Sequence, residues 1–286
     1  LPITKTAAQD RRTHFVYFAD ICHRNFNSLS LVCPMRLLLL FLCLLPYTSF
    51  CRDSSVLQLK LRREIAVFGC SGVAAGGSLL IGRSLTGLTL NQLDALDPDK
   101  VPSFDRWSIG NYSHSAAISS DVLLYGSMIL PEILFLADPA TRKSPVRPAV
   151  VMSQVFAVNF GLTSLTKELV HRTRPYAYDP LVPPDIRMQR DARRSFFSGH
   201  TSASAAMCFG YATIWTSYHP DSRLKPLVWA GAALVPAVTG YMRVRAGEHF
   251  LSDVLAGYGT GALCGWLVAK WHRKTKRNLP NASTPA

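Results

Sequence analysis

No C-x-x-C pair occurs among the seven cysteines of this chain, which argues against a zinc or disulfide framework as its organising device. Cys22, Cys33, Cys43 and Cys51 lie in or before the first apolar block, and Cys70, Cys208 and Cys264 lie inside apolar stretches, where a thiol packs as a small hydrophobe. Charge is scarce too. Only 17% of the 286 residues are charged, and 18 acids face 31 bases for a formal net charge of +13. An excess of that sign raises nucleic acid as a partner, but no C2H2 spacing, basic zipper or RNA-binding signature is present, so no nucleic acid is expected. There is no internal repeat, which excludes a repeat architecture, and no low-complexity tract beyond the terminal NLPNASTPA.

What the chain has is hydrophobic residues, 48% of the total, gathered in blocks. The blocks run over residues 65–82, 119–137, 148–167, 199–218, 226–242 and 249–270. Each is near the ~20 residues that a helix needs to cross hydrocarbon. The expected fold is therefore all-α, an integral membrane bundle of about six transmembrane helices. Gly257, Gly261 and Gly265 fall four apart, a flat face on which a neighbouring backbone can sit closely. Pro131 and Pro236 lie inside spans, where kinks are tolerated.

Residues 1–34 are polar and aperiodic and read as a disordered upstream extension. Residues 35–51, MRLLLLFLCLLPYTSFC, form a signal-like hydrophobic segment. Residues 52–64 make a basic linker, 65–272 the membrane domain, and 273–286 a basic disordered tail. Arg142, Lys143 and Arg147, then Arg223 and Lys225, then the tail all fall on one side of a six-span bundle, and basic residues favour the cytoplasm. The stretches 174–198 and 243–249 then face outward. A cleaved signal peptide conflicts with that topology. Either the glycine-rich first block stops short of a full crossing, or the signal-like segment is retained.

Three clusters fall at helix ends on the outward side. In KELVHRTRP, Lys167 and Arg174 are seven apart, nearly two turns, so both can project the same way. Ser198, Gly199 and His200 open the fourth block. In RVRAGEHFLSD, Arg243 precedes His249 by six residues and Asp253 follows by four, which on a helix puts His249 and Asp253 on one face. Taken singly, these are a snorkelling pair, a helix cap and a surface hydrogen bond. Taken together they form a phosphate site. Lys167, Arg174 and Arg243 suit an oxyanion with several oxygens, Ser198 offers a hydroxyl, and the Gly199 N–H lies at a helix N-terminus. Of the two histidines, His249 with Asp253 behind it is the nucleophile and His200 the general acid. With the cations neutralising the phosphoryl group, neither metal nor cofactor is required.

K-x6-RP, SGH and R-x5-H-x3-D, in this order, resemble the three-part signature of the type 2 phosphatidic acid phosphatase family, within the acid phosphatase and vanadium haloperoxidase superfamily. The resemblance implies that family's helical core and a metal-independent membrane phosphatase. Such an enzyme hydrolyses a lipid phosphate or lipid diphosphate through a phosphohistidine, with His249, His200 and Asp253 catalytic and Lys167, Arg174, Ser198, Gly199 and Arg243 on phosphate. Phe197 and Met242 depart from the family's usual Pro and Ser. A lipid phosphotransferase using the same site is the alternative. A vanadate haloperoxidase fits the pocket but not the spans, and an inactive scaffold does not fit the complete signature. The expected partners are a lipid phosphate and the membrane, and the expected setting is a bacterial inner membrane with the site facing the periplasm. The arginine-rich stretch 187–194 is either a solvated charge run or a grip on a second phosphate.

Overall fold

The computed structural model describes residues 55–274. Six long helices carry it: α1 (Leu61–Gly82), α2 (His114–Ala137), α3 (Val146–Val170), α4 (Gly199–Tyr218), α5 (Lys225–Arg245) and α6 (Leu251–Trp271). All are long enough to cross hydrocarbon, and no strand occurs among the described residues. Four helical stretches, Leu61–Gly82, His114–Ala137, Val146–Tyr178 and Lys225–Arg245, are also apolar enough to do so. α4 and α6 are rich in Gly, Ser and Thr instead and pack most extensively against each other. The domain is an integral membrane bundle, as its apolar blocks predict. The signal-like segment 35–51 lies outside the described residues.

The glycine face of α6 explains the closeness of the α4–α6 pair. A Cβ at Gly257 would lie 2.6 Å from Ser198 O, one at Gly261 2.0 Å from Ser202 O, and one at Gly265 2.2 Å from Ala206 O. Backbone rests directly on backbone, the packing that small residues permit in lipid. The core on the far side of this pair is apolar, with Val151, Met152, Val155, Ala206, Met207 and Ile214 buried together.

The chain runs up and down. Gly82 lies against Arg190 and Glu168 at one end, and Leu57 bridges to Arg273 at the other. The glycine-rich first block is thus a full 22-residue helix. Arg142, Lys143, Arg147, Arg223, Lys225, Arg273 and Lys274 gather at one end of the bundle, and the three signature clusters gather at the other. On the signature end, residues 83–113 and 171–198 form short helical turns that cap the bundle. Arg172 locks these caps to α6. It pairs with the buried Asp105 (2.8 Å) and the buried Asp253 (2.5 Å), and its guanidinium lies 4.4 Å from the centre of the Phe250 ring.

Candidate active site

The site is made where four helix ends meet. α3 delivers Lys167 in its last turn and ends at His171, which takes the left-handed conformation (φ 52°) and turns the chain back toward Arg174. α4 begins at Gly199, with Ser198 at its cap position. A Cβ on Gly199 would lie 3.7 Å from Lys167 Nζ and 3.3 Å from Thr163 Cγ2, so the start of α4 sits directly against the Lys167 end of α3. α5 supplies Arg243 from its last turn. Gly247, at φ 72°, then bends the chain into His249 and α6.

The eight predicted residues form one linked constellation. Arg174 and Arg243 both reach Glu248 Oε2, Arg243 at 3.2 Å. Arg243 also stands 3.9 Å from Asp121 Oδ1, which His200 Nε2 meets at 2.8 Å. The Ser198 N–H donates to Asp253 O at 3.0 Å, and Ser198 Oγ shares a hydrogen bond with Thr201 Oγ1 at 2.9 Å. The His249 and Asp253 side chains are wholly buried beside them, and Lys167 and Gly199 close the circle.

One expectation needs correction. His249 does not stand on a helix face with Asp253. It lies two residues ahead of Leu251, where α6 begins, and its Nδ1 is 3.9 Å from Asp253 Oδ2, beyond hydrogen-bond reach. The physical reason is that Asp253 is already engaged. Oδ2 accepts from the Phe250 N–H (3.0 Å), an N-terminal cap of α6, and from Ser195 Oγ (2.5 Å), while Oδ1 accepts from Arg172. The His249 Nδ1 is left buried without a hydrogen-bond partner. Asp253 therefore fixes the turn that carries His249.

Burial pushes the His249 ring well below the ordinary histidine range, and the charges of Arg174, Lys167 and Arg243 push it the same way. Both effects favour the neutral ring, the form in which a histidine nitrogen is a nucleophile. Arg243 Nε is also buried and unpartnered. Unsatisfied donors and acceptors of this kind are uncommon in native interiors. Two of them here belong to signature residues.

Sequence reasoning missed three carboxylates. Asp121 on α2 holds His200, Asp191 pairs with Arg174 at 2.8 Å, and Glu248 bridges the arginines. Asp121 carried a usable signal, an acid inside an apolar block. Glu248 was visible beside His249, but its partners were not. The arginine-rich stretch is anchored rather than free: Arg190 (3.2 Å) and Arg194 (2.5 Å) pair with the buried Glu168, and Arg187 Nε donates to Ala177 O at 2.9 Å.

Residues 148–277 match the pattern of the PAP2 superfamily. The chain is 30% identical over 152 residues to phosphatidylglycerophosphatase B of Bacillus subtilis (strain 168), covering 53% of this chain and 71% of that protein. It is also similar to the crystal structure of a transmembrane PAP2-type phosphatidylglycerolphosphate phosphatase from Bacillus subtilis. That match has a TM-score of 0.48 and 21% identity, and it covers 76% of this chain and 98% of that one.

Proposed function

Since this chain belongs to the PAP2 superfamily, we propose that it is a metal-independent lipid phosphatase that works through a phosphohistidine on His249. The observation that carries this reading is the convergence of Lys167, Arg174, Arg243, His200 and the neutral His249 at one end of a membrane bundle. Nδ1 of His249 faces Asp253, so Nε2 attacks phosphorus. The bond to the lipid oxygen breaks, its electron pair stays on that oxygen, and His200, oriented by Asp121, supplies the proton. Water then attacks the phosphohistidine, His200 takes the water's proton, the P–N bond breaks, and orthophosphate leaves. Lys167, Arg174, Arg243 and the start of α4 offset the charge that builds on the phosphoryl oxygens.

The basic end of the bundle belongs in the cytoplasm by the positive-inside rule, so the site opens on the opposite side, the periplasm of a bacterial inner membrane. The relative's name makes phosphatidylglycerophosphate the first lipid to try. The test is phosphate release by the detergent-solubilised protein in excess EDTA. The panel holds phosphatidic acid, phosphatidylglycerophosphate, an isoprenyl diphosphate and lipid A phosphates. Release from at least one, lost in His249→Ala, is the expected result. No release from any of them overturns the hydrolase reading, and appearance of the phosphate on a lipid alcohol instead identifies a phosphotransferase.

A further inference from the structure

The residue next to His249 places a carboxylate among the proposed phosphate ligands. Glu248 Oε2 pairs with a terminal nitrogen of Arg174 and lies 3.2 Å from a terminal nitrogen of Arg243. These are the forked donors that a phosphate would use. Asp191 engages the other terminal nitrogen of Arg174 at 2.8 Å, and Arg174 Nε donates to Asp191 O at 2.9 Å. With Glu248 in place, every nitrogen of that guanidinium already has an acceptor.

The backbone beneath Glu248 is fixed. Its N–H donates to Arg243 O at 3.1 Å, and Gly247 O accepts from the Tyr176 N–H at 3.0 Å. Gly247 has φ 72°, and a Cβ there would run into Asn111 O at 1.9 Å. The turn cannot shift freely, so only rotation of the Glu248 side chain moves the carboxylate. That side chain is 25% exposed and has solvent to rotate into.

Resting on the phosphatase reading, we propose that Glu248 is a specificity-determining residue. Its carboxylate holds the phosphate subsite as an internal competitor, which a phosphomonoester or terminal diphosphate displaces and a phosphodiester does not. A phosphodiester carries one negative charge, the same as the carboxylate it would replace. It gains no Coulomb energy by the exchange, and the tethered carboxylate has the higher effective concentration. A phosphomonoester carries −1.5 to −2 charges at pH 7 and so gains on exchange. The discrimination is needed because phosphodiester headgroups crowd the surface of a bilayer and would fill an unguarded cluster of Lys167, Arg174 and Arg243.

The test compares full-length wild type, Glu248→Gln and Glu248→Asp in detergent. Phosphate release from a lipid phosphomonoester is measured with orthophosphate, or micellar phosphatidylglycerol (a phosphodiester), as inhibitor. In wild type, orthophosphate inhibits weakly and phosphatidylglycerol hardly at all. In Glu248→Gln the orthophosphate Ki falls at least ~10-fold and phosphatidylglycerol becomes an inhibitor. Glu248→Asp, which keeps the charge on a shorter arm, falls between and decides the matter if the Gln variant does not fold. Unchanged or weaker inhibition by both probes in a folded variant overturns the proposal and leaves the phosphatase reading standing. A wild type that neither releases phosphate nor gains thermal stability from orthophosphate overturns that reading, and this proposal with it.

Discussion

Around His249, what a residue does is set by which partner it already has. Asp253 is engaged by Phe250, Ser195 and Arg172, and the ring of His249 is held by its turn rather than by a hydrogen bond to it. Burial and three neighbouring cations keep that ring unprotonated. In the proposed mechanism attack requires the neutral form, so the acidic limb of kcat/KM is expected below the ordinary histidine value of ~6.5. For the same group, the unfolded chain takes up a proton near pH 6.5 that the folded ring refuses, so stability falls as the pH drops through that value. Rate profiles and melting temperatures between pH 5 and 8 check both signs. A limb at or above pH 6.5 would contradict them. Asp121→Asn is expected to lower kcat by ~10- to 100-fold with KM little changed, part of what a positioned general acid contributes. A burst experiment with a good leaving group tests it, since such a substrate needs no proton and should restore the rate.

Arg172 makes a different kind of case. Its loss leaves Asp105 and Asp253 as buried carboxylates without their cation, which is expected to destabilise the fold by ~3–5 kcal/mol. Thermal unfolding of Arg172→Leu measures this. The convergence of the eight candidate residues was legible because each lies at or near a helix end on the same side of the bundle. Asp121 and Glu248 escaped because their roles depend on pairings 79 residues away, for Asp121–His200, and on a turn that brings two arginines to one carboxylate.

Between elements, the decisive contact is the glycine face of α6 against the backbone of α4. It sets how near the turn carrying His249 stands to Ser198 and Gly199, because Gly257 rests on Ser198 itself. Gly261→Ala would place a methyl group 2.0 Å from Ser202 O, with backbone rather than a flexible side chain in the way. We expect ~1–3 kcal/mol of destabilisation and a loss of phosphate release larger than the loss of folded protein. Gly259→Ala, facing open space, is the control and should be silent. The spacing of Gly257, Gly261 and Gly265 made this face readable from sequence. The helix limits were readable to within a few residues for α1 and α3 to α6, while α2 begins at His114, five residues before its apolar block. The helix face assumed for His249 was not correct, because a spacing of four is equally satisfied by a capped turn.

For the whole molecule, the separation of charge along the bundle is the guide to orientation. Leu181, 90% exposed on the signature side, and Arg142 on the basic side are the two positions to probe. In a background without the native cysteines, Leu181→Cys should react with an impermeant maleimide from outside the inner membrane. Arg142→Cys should react only after the membrane is opened, and the reverse pattern would invert the topology. Because α1 is long enough to cross and Leu57 meets Arg273, the first and last described residues lie at the basic end of the bundle. With that end in the cytoplasm, as the positive-inside rule expects, the signal-like segment 35–51 is expected to be retained, and the mass of the membrane-extracted protein tests it.

The most direct test of the central claim is covalent capture. The protein is mixed in EDTA with a lipid phosphomonoester bearing labelled phosphorus, quenched in base, and digested. The account predicts an acid-labile label on the peptide containing His249, absent in His249→Ala. Phosphate release by wild type with no such label, or full release by His249→Ala, would contradict it.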